Sequence, residues 1–200
     1  MKLISLLEKL EYTCLQGSTD QEVKNVIYDS RKVEEGSLFI CIRGAVVDGH
    51  KFVPDVVAKG AKVLIVEEAV EAPEDVTVIL VKDTRYAMAF ISAAYFGYPA
   101  EKLKTIGITG TKGKTTTTYM IKEILEKAGH KVGLIGTIAT YINGKMISES
   151  ARTTPESIEL QKTFAQMVEA GVEYVVMEVS SQSLKLHSCL LYTSPSPRDR

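Results

Sequence analysis

Leu103-Lys104-Thr105-Ile106-Gly107-Ile108-Thr109-Gly110-Thr111-Lys112-Gly113-Lys114-Thr115-Thr116-Thr117-Thr118 is the stretch that decides the fold of this 200-residue chain. A β-branched, apolar run from Leu103 to Thr109 feeds a glycine-rich turn, and a helical pattern starts at once behind it. Strand, Gly-Lys-Thr loop and helix, in that order, form the context of a phosphate-binding loop. The first N–H groups of a helix are unpaired, and its dipole places roughly +0.5 charge there. Gly110 and Gly113 let the backbone curl around phosphate oxygens, Lys114 can reach the outer phosphates, and the Thr115 hydroxyl can hold Mg²⁺. The general pattern G-x-x-x-x-G-K-[ST] would place its first glycine at 108, where this chain has Ile108, so the loop reads T-G-T-x-G-K-T-T. These residues point to a nucleoside triphosphate.

Behind the loop, a helix is expected from Lys114 to Ala128, closed by Gly129. A strand follows over Lys131 to Ile135. Thr137 to Ile142 and Lys145 to Ser148 flank Asn143-Gly144, the pair that supplies both positive φ angles of a type I′ hairpin turn. Pro155 suits the first turn of a helix reaching Ala170, with Gly171 at its end. Tyr174 to Glu178 reads as a buried parallel strand ending in a carboxylate. Strands alternating with helices of this length predict an α/β fold with a doubly wound parallel sheet.

The half before the loop reads as a smaller α/β unit. Leu3, Leu6, Leu7 and Leu10 fall at helical spacing. Val26 to Tyr28, Leu38 to Ile42, Val63 to Val66 and Val76 to Val81 have strand character, with a short helix from Phe52 to Lys59. A longer helix runs from Asp83 or Thr84 to Tyr95 or Phe96, and Gly97-Tyr98-Pro99 ends it. The expected domains are therefore 1–98, 99–187 and a tail, 188–200. The tail has neither helical nor strand period. It reads as translated cloning or adapter sequence after a truncation near His187, or as a native flexible tail. With only three recognisable parallel strands beside the hairpin, the second domain is expected to be the first part of a larger sheet.

Composition sets the outer limits. Net charge is −1, apolar content 45% and charged content 24%, which describes a globular protein with no bulk electrostatic bias toward nucleic acid or membrane. Cys14, Cys41 and Cys189 lack paired or metal-ligand spacing, so buried thiols in a reducing cytoplasm are expected.

Several side chains carry candidate chemistry. Glu178, at the carboxyl end of its strand, can complete a Mg²⁺ site with Thr115 and phosphate oxygens. Ser180 and Ser181 lie just beyond, where open α/β sheets bind ligands. Thr153 and Thr154 can either cap the following helix or meet an anionic substrate. In the first domain, Asp29-Ser30-Arg31, Arg43-Gly44 and Asp48-Gly49-His50 follow strands and can form a cleft or simple turns.

Asp29-Ser30-Arg31-Lys32-Val33, Gly36-Ser37-Leu38-Phe39, Asp48-Gly49-His50, Gly107 to Thr118, Thr153-Thr154-Pro155 and Met177-Glu178-Val179-Ser180-Ser181 follow one another over nearly everything before Ser188. In that order they resemble the Mur ligase family, on the branch that adds the third residue of the muramoyl peptide. The resemblance implies an ATP-dependent amide-bond ligase of peptidoglycan precursor synthesis. Its substrates would be UDP-N-acetylmuramoyl-L-alanyl-D-glutamate and a diamino acid, meso-diaminopimelate or L-lysine, joined through an acyl phosphate. It implies a cytoplasmic monomer needing ATP and Mg²⁺, and a fragment that is inactive by itself.

Carried over by position, Tyr28 and Ser30 with Ala45, Val46 and Val47 would contact the uridine nucleotide. Gly110, Thr111, Lys112, Gly113, Lys114, Thr115 and Thr116 would hold ATP. Arg152, Thr153, Thr154 and Ser180 would meet the muramoyl peptide, while Lys114 and Glu178 act in catalysis and Thr115 and Glu178 hold the metal. Three positions depart from the family pattern: Arg152 stands where Asn is common, Gln182 where His is common, and Ser188 where Arg is expected. The alternatives are a P-loop kinase and a non-catalytic or regulatory P-loop nucleotide-binding module.

Overall fold

The computed structural model describes residues 1–44, 47–150 and 152–188. Ala45 and Val46, expected at the uridine, lie outside the described residues, as do Cys189 and all of the expected tail except Ser188. Two units make up the chain, Met1–Tyr95 and a second beginning at Phe96.

In the first unit, α1 (Leu3–Leu7) buries Leu3, Leu6 and Leu7. The helix stops short of the expected Leu10, whose N–H closes a tight turn on the Leu7 carbonyl. Then come β1 (Thr13–Gln16), β2 (Asn25–Ile27), β3 (Ser37–Ile40), α2 (Val53–Ala58), β4 (Val63–Val66), β5 (Thr77–Leu80) and α3 (Thr84–Tyr95). The sheet order is β1-β5-β4-β3-β2, parallel throughout except for antiparallel β1 on β5. Strand β1 has no counterpart in the sequence reading. Its residues are exposed or half-buried, so no apolar alternation announces it.

Every residue of β3 and β4 is buried, as a parallel sheet covered on both faces requires. Phe39, Cys41, Leu64, Val66 and Val78 pack with Val53 and Val56 of α2. The alternate residues Leu38, Ile40, Val63, Ile65 and Ile79 are equally buried, and α3 buries Ala87, Met88 and Ile91 while touching α1. Burial pushes the Cys41 thiol up to about 12. Cys14, expected to be buried, is exposed on β1.

The second unit contains β6 (Lys104–Ile108), α4 (Lys114–Lys127), β7 (Val132–Ile135), β8 (Ala139–Ile142), β9 (Lys145–Glu149), α5 (Ser157–Glu169), β10 (Tyr174–Glu178) and α6 (Ser181–Lys185). Its sheet order is β6-β10-β7-β8-β9. The three parallel strands and both arms of the expected hairpin are present, and the hairpin is stitched antiparallel to the free edge of β7, which makes one five-stranded sheet. Both turn residues have the positive φ the sequence predicts, 49° and 77°.

Strand β10 inserts between β6 and β7, parallel to both. The carboxyl end of β10 is thereby flanked by the two loops that follow β6 and β7. This is the crevice in which open α/β sheets bind ligands. On one face, Leu160, Phe164 and Met167 of α5 pack on Ile135, Val175 and Met177. Gly133 makes room for that helix, since a Cβ there would sit 2.6 Å from the Met167 sulfur. Helix α4 packs against β10, β7 and β6. Among the described residues, no helix is long and apolar enough to cross a membrane.

Candidate active site

The backbone turns out of β6 through Gly110, at φ 149°, and Gly113, at φ 80°, the second being the N-cap of α4. As a glycine, Gly113 offers no side chain to cap the helix. The helix's first N–H groups therefore point into the loop, as an anion site needs. The Lys114 ammonium donates to the Gly110 carbonyl at 2.7 Å, folding back across the loop. Thr111, Lys112 and Thr116 are exposed around it.

Glu178 closes the site from β10. Its residue is 1% exposed. Oε2 accepts from the Thr115 hydroxyl at 3.1 Å and from the Thr137 hydroxyl at 3.1 Å, and Oε1 accepts from the Thr137 N–H at 2.8 Å. Gly136 leaves space for this carboxylate: a Cβ would stand 2.7 Å from Oε1. Desolvating a carboxylate is costly, and hydrogen bonds from neutral donors offset only part of the cost. A cation beside it offsets more. Hydroxyl and carboxylate oxygens are also the hard donors that Mg²⁺ prefers, so Thr115 and Glu178 fit that ion.

Thr137 is the residue that sequence reading missed. In the sequence it reads only as the start of a hairpin arm, yet it follows β7 at the strand's carboxyl end. That position in an open sheet was the available signal.

Thr154 is buried and serves as a tie rather than as the cap of α5. Its hydroxyl donates to the Glu178 carbonyl at 3.0 Å and accepts from the Ser180 N–H at 3.2 Å. The N-cap of α5 is Glu156, so Pro155 precedes the helix instead of opening its first turn. Thr153 comes within 3.2 Å of the Thr137 hydroxyl. Ser180 N-caps α6, accepting from the Ser183 N–H at 3.1 Å. Arg152 pairs with the buried carboxylate of Glu156. Beside the loop, burial first and a hydrogen bond with Tyr141 second push the Tyr119 phenol up to about 12.

Tyr28, Ser30 and Val47 belong to the first unit. Asp29 N-caps the 3-10 turn that begins at Ser30, and the Ser30 carbonyl accepts from Lys59 at 2.8 Å. Tyr28 is half-buried and Val47 exposed. Asp48, His50 and Glu68 come close enough to suggest a metal site. His50 argues against it, because both ring nitrogens are engaged, Nδ1 with Asp48 at 2.6 Å and Nε2 with the Glu67 N–H at 3.0 Å. The histidine is a buried brace between two loops.

Residues 22–96 match the family described as "Mur ligase family, catalytic domain", and residues 108–195 match "Mur ligase middle domain". The chain belongs to the Mur ligase family. It is 56% identical, over 93% of its length, to a UDP-N-acetylmuramoyl-L-alanyl-D-glutamate–2,6-diaminopimelate ligase of Clostridium perfringens, of which it covers 38%. The chain thus spans about two-fifths of the length of the curated Mur ligases it matches. A solved structure of a ligase with that same name superposes with a TM-score of 0.75 over 94% of this chain and 38% of that one, at 22% identity. MurF from Acinetobacter baumannii superposes with a TM-score of 0.58 over 90% of this chain and 36% of its own, at 27% identity.

Proposed function

We propose that this chain carries the UDP-substrate-binding and ATP-binding parts of an amide-bond ligase of peptidoglycan precursor synthesis. The observation that carries the reading is the meeting of Lys114, Thr115 and Glu178 at one sheet crevice, in a Mur ligase chain 56% identical to a diaminopimelate-adding relative. The substrates are ATP, UDP-N-acetylmuramoyl-L-alanyl-D-glutamate and a diamino acid. The relatives' names favour diaminopimelate over L-lysine as that amino acid.

The backbone of Gly110 to Thr116 would cradle the triphosphate of ATP, with the Lys114 ammonium on its outer phosphates. Thr115 and Glu178 would hold Mg²⁺, which supplies charge neutralisation to the phosphates. The D-glutamate carboxylate attacks the γ-phosphorus, ADP departs, and the acyl phosphate formed is attacked by the amine of the diamino acid. One amide bond forms, phosphate leaves, and the amine gives up a proton. A carboxylate alone is a poor electrophile, and the phosphoryl group turns its oxygen into a leaving group. Positioning and charge stabilisation supply most of the rate in such transfers.

Thr153 and Ser180 would face the muramoyl peptide, with Thr154 holding the turn that carries Ser180 and Arg152 nearby. Tyr28, Ser30 and the segment Ala45-Val46-Val47 would take the uridine nucleotide. The reaction is assigned to the cytoplasm and to a monomer. The domain that grips the amino acid is assigned to the part of the relatives beyond this chain.

The test is a chimera in which residues 1–187 are followed by the remainder of the Clostridium perfringens relative. It should release phosphate from ATP only when both UDP-N-acetylmuramoyl-L-alanyl-D-glutamate and diaminopimelate are present. Phosphate release independent of the muramoyl substrate would favour a general nucleotide-hydrolysing module and contradict the reading.

A further inference from the structure

Thr137 touches both sides of the site. Its N–H and its hydroxyl each bond a different oxygen of Glu178, at 2.8 Å and 3.1 Å, and the same hydroxyl lies 3.2 Å from the Thr153 hydroxyl. A hydroxyl has one proton to give and lone pairs to accept with. Glu178 in its ionised form can only accept, so the Thr137 proton goes to Glu178. The Thr153 proton then goes to Thr137. The result is a directed chain, Thr153 to Thr137 to Glu178, that ends on the same carboxylate oxygen that Thr115 contacts.

We propose that Thr137 is a positioning residue that sets the orientation of the Glu178 carboxylate for a divalent cation and links it to Thr153. The inference rests on the reading of Glu178 as a Mg²⁺ ligand. Partners that orient a metal-binding carboxylate are often worth tenfold or more in metal affinity. Thr137 is exposed, outside the buried core, so its side chain can be changed without opening a cavity. Replacing it with valine keeps the shape and the backbone N–H and removes only the hydroxyl link. The chain also predicts an effect at a distance, since Thr153 contacts Thr137 and through it feels the cation.

The experiment is calorimetry of ADP binding to the 200-residue chain as Mg²⁺ is titrated, with thermal melts as a control for folding. Thr137→Val should raise the Mg²⁺ concentration for half-maximal ADP binding by about tenfold, with the melting temperature preserved, and Thr137→Ser should restore the wild-type value. Thr153→Val should weaken Mg²⁺ as well, by less. In the Thr137→Val background it should then have no further effect, as expected for two residues acting through one link. Wild-type Mg²⁺ dependence in Thr137→Val overturns the inference and leaves the Glu178 reading intact. So does an effect of Thr153→Val that survives unchanged in the double variant. Failure of the wild-type chain to bind ADP in a Mg²⁺-dependent way overturns the Glu178 reading and this inference with it.

Discussion

The Thr137 N–H donates to Glu178 Oε1 at 2.8 Å, joining the loop after one strand to the last residue of the strand beside it. The bond exists because β10 enters the sheet between β6 and β7, so residues 41 apart in sequence meet at one sheet end. The carboxylate then faces Thr115, on the helix that follows the glycine loop.

Gly136 is the steric condition for that arrangement. A methyl group there would approach Glu178 Oε1 to 2.7 Å, closer than Cβ atoms come to oxygen. Gly136→Ala should therefore displace the carboxylate and destabilise the chain by about 1–3 kcal/mol, the usual cost of overpacking. Denaturant unfolding checks the stability, and ADP calorimetry should show weakened Mg²⁺ dependence in the same variant.

Lys114 should behave in the opposite way. Its ammonium bonds only the exposed Gly110 carbonyl among the contacts described for it, so little fold stability rests on it. Lys114→Ala should change unfolding free energy by less than about 0.5 kcal/mol. In the full-length chimera it should lower ATP-dependent turnover by roughly 10²–10³-fold, the cost of removing one donor aimed at developing charge. Near-normal turnover would remove Lys114 from the phosphate site.

Much of this site is legible in sequence, because a strand, a glycine loop and a helix leave local signatures. The boundaries of β4 and β10 and the Asn143-Gly144 turn follow from apolar runs and turn chemistry alone. Strand β1 was hidden because an exposed edge strand needs no alternation. That the hairpin joins the parallel sheet was hidden for another reason. A hairpin pattern does not say which strand it will pair with, and pairing to β7 is decided only in three dimensions. Thr137 was missed on the same ground, since its partner Glu178 is remote in sequence. Thr154 looked like a helix cap from its place before Pro155, but a buried hydroxyl between the Glu178 carbonyl and the Ser180 N–H has no local pattern.

Asp29 gives the first unit a pH dependence. Hydrogen bonds from the Arg31 side chain, and then from the Arg31 N–H, hold its carboxyl at about 2, against an ordinary 3.8. A carboxyl lowered by folding adds stability that is fully present above the unfolded value and is lost as pH falls through the folded one. Between about pH 4 and about pH 2, wild type should therefore lose more stability than Asp29→Asn, which has no proton to take up. Acid titrations of both chains followed by circular dichroism check this, and parallel curves would contradict it.

In the proposed reaction, Glu178 and Thr115 hold the cation of a bound nucleotide. Calorimetry of ADP binding to the 200-residue chain, wild type against Glu178→Gln, with and without Mg²⁺, tests it most directly. Glutamine keeps the size of the side chain and removes its charge. Mg²⁺ should tighten ADP binding to the wild type and have little effect on Glu178→Gln. Equal enhancement by Mg²⁺ in both proteins would contradict it.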